Sequence, residues 1–345
     1  MTRLRHSVGV AARPALGVDK RVELLYSVLA LTSWREVGML GPGLPYARDV
    51  FRFSEPLRGH AAAKLLEELI SRGFAFDALH CFAAHLSEPP ELGLADPLSE
   101  DLVERAGGRE PLVELARALG DSYRESGFER FWEGHLGFYQ EVERRAREFI
   151  DVGRIVGLLE GFFGFRMTGY RVVLLPLSKM SYGCTVRGVA YAFVAPTRVG
   201  EGGLPEFRSW DPVLHELSHA FVDVVVEEHA EELSGLAGRV RELARRVLEG
   251  LPAPPSVRAD ALERACADPR WYVGEHVVEA VKLRIAESLG LLDSRSLERL
   301  LRQCEARGLA YMRVVYGALS RYDRSRFRSF REFFPEVVEA VREAG

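Results

Sequence analysis

The stretch His215-Glu216-Leu217-Ser218-His219 decides how the rest of the chain is read. On an α-helix, positions i and i+4 share a face, with their Cβ atoms about 5–6 Å apart. Two imidazoles at that spacing reach one tetrahedral Zn²⁺. Glu216, one step along, does not point at the metal with them; it sits where a carboxylate takes a proton from a water polarised by the ion. The motif works only on a helix, and its flanks provide one. Asp211 is read as the N-cap and Pro212 as the first helical residue. Val213, Leu214, Leu217, Phe221, Val222 and Val225 supply an apolar surface for burial. The competing reading is a pair of structural histidines. A motif in the early turns of a buried helix, and not in a polar loop, favours a metal site.

Two histidines leave Zn²⁺ short of protein ligands, because a catalytic site usually has three plus water. Val222 and Val225 stand where the metzincin extension HExxHxxGxxH needs Gly and His, so that solution is absent. The search passes to a glutamate on a later helix, the gluzincin solution. Glu227 and Glu228 lie on or just beyond the motif's own helix, about 12 Å from His219 by helical rise, and geometry disfavours them. Glu275, in Gly274-Glu275-His276-Val277-Val278-Glu279, is read as opening a new helix with apolar Val277, Val278, Val281 and Ile285. Gly274 permits close backbone approach. Glu279, at i+4 from Glu275, faces the same way and is placed to accept the free N–H of His215 or His219. Thermolysin-like enzymes use such a carboxylate. A solvated helix face is the plainer reading of Glu275 and Glu279, and His229 is an outside candidate for the third ligand.

Outward from the motif, Tyr170 to Leu177 is β-rich and Val186 to Val194 has the texture of a partly buried strand. Tyr182-Gly183 lies between them and suggests adjacent strands joined by a hairpin-like connection. A small sheet just before an HExxH helix is the element order of zincin peptidases. Residues 1–20 read as a polar lead-in, and the rest of the first 165 residues as almost entirely helical. Helices resume after the motif and continue to the C-terminus, interrupted at Leu251-Pro-Ala-Pro-Pro255. The expected fold is α+β and predominantly helical: a helical region over 1–165, then a zincin-like catalytic region over 166–345. Aromatics at 128–139 fit helix packing better than a binding surface.

Composition excludes some partners. A net charge of −4 argues against a dedicated nucleic-acid binder. Basic residues are lopsided, 42 Arg against four Lys, as a GC-rich genome would produce. Cys81, Cys184, Cys266 and Cys304 form no CxxC, so buried free thiols are expected rather than a disulfide framework or a thiolate metal site. Arg13 and Pro14 break the apolar run from Val8 to Leu16, and no stretch approaches the length of a membrane span. A cytoplasmic protein with no membrane partner is the expectation.

Several segments together resemble a zincin-like family catalogued as domain of unknown function 4932. Val18-Asp-Lys-Arg-Val-Glu-Leu-Leu25 is similar to the family's opening, Tyr46 to Ala61 to its next block, and His215 to Phe221 to the metal helix. Glu275 falls where the family has a glutamate, and the ending from Gly308 to Pro335 resembles the family's C-terminus. The resemblance implies a zinc metallopeptidase fold acting on a peptide or protein substrate. The site is then His215, His219 and Glu275 around Zn²⁺, with Glu216 as general base. His276, Tyr182, Tyr191 and Tyr272 are candidates to steady the oxyanion. A strand edge within 186–194 is expected to pair with extended peptide. The rivals are a metal-dependent hydrolase of a non-peptide bond and a catalytically inactive zinc-binding helical interaction protein.

Overall fold

The computed structural model of the chain describes residues 14–236, 269–307, 309 and 311–344. Helices fill most of the region before Gly164, among them Lys20–Leu29, Pro45–Ser54, Asp77–His85, Arg109–Ser126, Leu136–Ala146 and Val152–Phe163. Strands β2 (Gly169–Leu174), β3 (Tyr182–Val186) and β4 (Val189–Val194) come next, then the motif helix Asp211–Glu228. Helices Pro269–Ser288, Ser294–Ala306, Met312–Leu319 and Phe330–Glu343 follow it. The architecture is α+β and mostly helical, with one small mixed sheet and a two-stranded pair, Arg198–Val199 with Pro205–Glu206. No helix among the described residues is long and apolar enough to cross a membrane. Cys266 and the Pro-rich 251–255 break lie outside the described residues.

Sheet topology differs from the sequence expectation in two ways. Residues 15–17, placed in the polar lead-in, form strand β1 (Ala15–Gly17) and pair in parallel with Arg171–Val173. The strands at 169–174 and 189–194 are indeed neighbours, but they run parallel, Gly169 opposite Val189 and Leu174 opposite Val194. The hairpin joins β3 to β4, with Tyr182 opposite Phe193 and Val186 opposite Val189. Its turn is Arg187-Gly188, both at positive φ (53° and 78°), the two-residue geometry that matches strand twist. The sheet order is β1-β2-β4-β3, so β4 is internal and β3, not the 189–194 strand, is the edge beside the motif helix.

Alternation along the strands gives the sheet two apolar faces. Tyr170, Val172, Leu174, Ala190, Ala192 and Val194 pack with Leu214, Leu217 and Phe221 of the motif helix and with the C-terminal helices. Val173, Tyr182, Val186, Tyr191 and Phe193 pack against the N-terminal helices. Both faces are therefore covered, as sheets with parallel pairs require. The boundary expected at 165 falls between helix and strand, yet β1 and the shared sheet tie the two stretches together.

Candidate metal centre

The motif helix places its histidines side by side on one face, as i, i+4 spacing demands. His215 Nε2 and His219 Nε2 are 3.4 Å apart, and Glu275 Oε1 is 3.5 Å from His219 Nε2. The donor atoms of His215, His219 and Glu275 all lie within 4.8 Å of one another, the only such His/Cys/Asp/Glu group among the described residues. Donors about 2.0–2.1 Å from one tetrahedral ion sit about 3.3 Å apart. The two spacings from His219 fit that figure, and with all three donors within 4.8 Å the trio could hold a small cation after a small side-chain adjustment. Solvent still reaches it, with the three side chains 18–22% exposed.

Glu275 arrives on a helix that starts at Pro269, so it lies in the second turn and does not open the helix. That helix crosses the motif helix with Gly274 facing Val222 and Val226. A Cβ on Gly274 would meet them at 3.9–4.0 Å, ordinary contact, so the glycine is not a steric requirement. Trp210 is the cap residue of the motif helix and Asp211 its first helical residue; the Asp211 carboxylate lies 3.4 Å from Lys282 Nζ instead of capping.

Carboxylates back both rings. Glu279 Oε1 is 3.6 Å from His215 Nδ1, and Asp223 Oδ1 is 3.8 Å from His219 Nδ1. Glu279 is nearly buried; burial pushes its carboxyl up, but Lys282 at 2.8 Å, His215 and Arg307 at 3.4 Å together hold it below its ordinary value. Ion pairs thus link Asp211, Lys282 and Glu279 between the two helices, with Glu279 behind the His215 ring. Burial, helped by the neighbouring His219, drops His215 to about 3 and keeps it neutral, the form that donates a lone pair to metal. For His219, burial is outweighed by Glu275 and Asp223, which raise it to about 10. The pocket is thereby already arranged to favour positive charge. Asp223, Lys282 and Arg307 escaped the sequence reading, although Asp223 stands at i+4 from His219.

Glu216 is 8% exposed, and burial lifts its carboxyl to about 8. Among the described residues no hydrogen-bond donor claims that carboxylate, so water is its natural partner. Strand β3 crosses directly above. A Cβ added to Gly183 would come 2.5 Å from the backbone oxygen of Glu216 and 3.3 Å from its Oε2. Only glycine lets the edge strand lie this close to the helix.

The other residues named from sequence sit elsewhere. Tyr182 and Tyr191 point to the sheet face opposite the motif helix, Tyr182 stacked on His80 at 4.2 Å between ring centroids. Both ring nitrogens of His276 are engaged with backbone: Nδ1 with the Tyr272 carbonyl at 2.7 Å, and Nε2 accepting from the Tyr311 N–H at 3.1 Å. Burial lowers His276 to about 4, so it is a neutral core histidine. Tyr272 is fully buried against the His276 ring. Glu227 and Glu228 turn outward to Arg270 and Arg331, each at 2.7 Å, and His229 packs on Phe334. A family model described as Domain of unknown function (DUF4932) matches residues 15–340. No curated protein and no solved structure matches the chain.

Proposed function

The chain belongs to the DUF4932 family, and we propose that its His–His–Glu centre is that of a zinc-dependent peptidase with a zincin-like arrangement. One observation carries the reading: the donor atoms of His215, His219 and Glu275 lie within 4.8 Å of one another, with Glu216 on the helix of the two histidines. Two imidazoles and one carboxylate suit Zn²⁺, which when bound would supply Lewis acidity and a water of lowered pKa. Glu216 takes the proton of the attacking water and passes it to the leaving amine. Its burial gives it a proton affinity in the range where both transfers are easy at neutral pH, and a nearby cation would bring it down toward the base form. Asp223 and Glu279 hold the two rings in the tautomer that presents Nε2 to the metal.

The edge strand β3 supports a peptide as substrate. One side of β3 pairs with β4, and its other side carries no strand among the described residues. Gly183 lies over Glu216, so an extended chain pairing with that edge would bring a carbonyl close to the general base. The cation that His215, His219 and Glu275 would hold would supply the charge that steadies the oxyanion, because Tyr182 and Tyr191 lie on the other sheet face and His276 and Tyr272 are buried against each other.

The deciding experiment combines zinc analysis of the purified protein with peptide-library cleavage by wild type and Glu216→Gln. The amide keeps the shape of the carboxyl group but carries no charge and cannot take a proton. Glu216→Gln should retain stoichiometric zinc and fold and lose about 10²–10⁴-fold in cleavage rate. Activity within tenfold of wild type removes Glu216 from the reaction. Stoichiometric zinc with no cleavage of any peptide by wild type shifts the reading to a non-peptide bond or to a structural metal.

A further inference from the structure

The two rows of side chains that form the metal centre continue past it. Trp271 stands one turn before Glu275 on helix Pro269–Ser288, and Asp223 one turn after His219 on the motif helix. The helices run antiparallel: His215 faces Glu279 at 3.6 Å, His219 faces Glu275 at 3.5 Å, and Glu227 meets Arg270 at 2.7 Å. Asp223 and Trp271 fall between the last two of these contacts, one from each helix, about 5.4 Å beyond the ligands. The surface opens to solvent there, with the Asp223 side chain 63% exposed and Trp271 37%. Among the described residues the ionic partner of Asp223 is the His219 ring, 3.8 Å from Oδ1. The charge of Arg270, next to Trp271, is matched by Glu227. At the opposite end of the rows Glu279 is already matched by Lys282 and Arg307. The carboxylate with charge to spare is therefore the one beside the tryptophan.

We propose that Trp271 and Asp223 form a subsite for a lysine or arginine side chain of the peptide substrate. The proposal rests on the peptidase reading of the centre and names which peptides that site takes. A cation over the indole face is attracted by its π electrons, and the exposed Asp223 carboxylate offers it a charge-assisted hydrogen bond. An apolar side chain seated there would strip water from the carboxylate and return no partner, and an acidic one would meet like charge. The opposite end, where Lys282 and Arg307 claim Glu279, offers a basic residue no such carboxylate. One helical turn spans less than two residues of extended chain at about 3.3 Å each. The basic residue therefore stands within two positions of the cleaved bond, on one side of it only.

The test uses the full zinc-loaded chain and blocked alanine peptides carrying one arginine, lysine, glutamine or glutamate at each position in turn. Wild type should cleave the arginine and lysine peptides with kcat/KM about tenfold above the glutamine peptide, at one position within two residues of the cleaved bond. Trp271→Ala should cut that ratio about fivefold with zinc retained, and Trp271→Phe, which keeps a π face, should restore most of it. Asp223→Asn should cut the ratio too, beyond any loss that all peptides share through His219. No basic preference in wild type, an equal loss on all peptides in Trp271→Ala, or a preference that Trp271→Ala leaves intact would each overturn the proposal. A second measurement needs no hydrolysis: fluorescence polarisation of dye-labelled arginine and glutamine peptides bound to wild type and Trp271→Ala. Tighter binding of the arginine peptide, lost in Trp271→Ala, with no peptide cleaved would sustain the subsite and remove the peptidase reading. Equal binding of the two peptides removes the subsite whatever the wild type cleaves.

Discussion

In the proposed metal centre, both histidines have a carboxylate set behind the ring. Asp223 stands behind His219 and Glu279 behind His215, while Glu275 brings its own charge. Removing a donor and removing its support should therefore differ in size. In competitive zinc titration at one buffer and pH, Glu275→Ala should lose far more affinity than any other carboxylate variant, because water replaces one of three protein ligands. Asp223→Ala and Glu279→Ala should each lose about 10- to 100-fold in affinity or activity. Glu227→Ala should bind as wild type, since its carboxylate is committed to Arg270 on the surface. Wild-type affinity in Glu275→Ala, with loss on substitution between 227 and 232, would move the third ligand to the segment after the motif.

The crossing of β3 over the motif helix is the tightest element contact at the site. Its closeness depends on Gly183, whose missing Cβ leaves room for the backbone oxygen of Glu216. Gly183→Ala forces either strand or helix to shift, and overpacking of this kind costs about 1–3 kcal/mol. The same change at Gly41, where nothing lies within 4 Å, should move stability by no more than about 0.5 kcal/mol. Denaturant midpoints of the two variants measure the difference. Because the shift falls at Glu216, Gly183→Ala should also lower turnover with zinc retained; unchanged midpoint and turnover would mean that the crossing has slack.

Among the described residues two apolar cores share one sheet, and the N-terminal one encloses a buried carboxylate. On the N-terminal side Glu23 is fully buried and accepts from the Tyr46 hydroxyl, which lies 2.8 Å from the Tyr139 hydroxyl. This network ties together helices Lys20–Leu29, Pro45–Ser54 and Leu136–Ala146. Burial raises Glu23 to about 8, against the effect of the Tyr46 hydrogen bond. The folded protein therefore holds a proton that the unfolded chain releases near its ordinary carboxyl value of 4.5. The stabilisation is complete below that value, erodes as pH rises, and is gone above about 8. Glu23→Gln, which mimics the protonated form, should be close to wild type at pH 5 and more stable than wild type at pH 9. Chemical denaturation of both proteins across this range tests it; parallel pH profiles would mean that Glu23 is ionised in the fold.

What the sequence determined by itself was local and periodic. His215, Glu216 and His219 are placed by the 3.6-residue repeat of a single helix, and Glu279 is placed relative to Glu275 by the same rule, so spacing alone makes them legible. The helical N-terminal region and the β-rich 170–194 stretch follow from apolar periodicity in the same way. Tertiary structure decided whatever depends on partners distant in the chain. Three residues, 15–17, have no strand periodicity of their own and become β1 only by pairing with Arg171–Val173. The parallel β2–β4 pairing and the Arg187-Gly188 turn were hidden because arginine does not announce a positive φ as glycine and asparagine do. Gly183 above Glu216 and Lys282 between Asp211 and Glu279 join residues on separate elements. No repeat along the chain encodes such meetings; the packing of one element's face on another creates them.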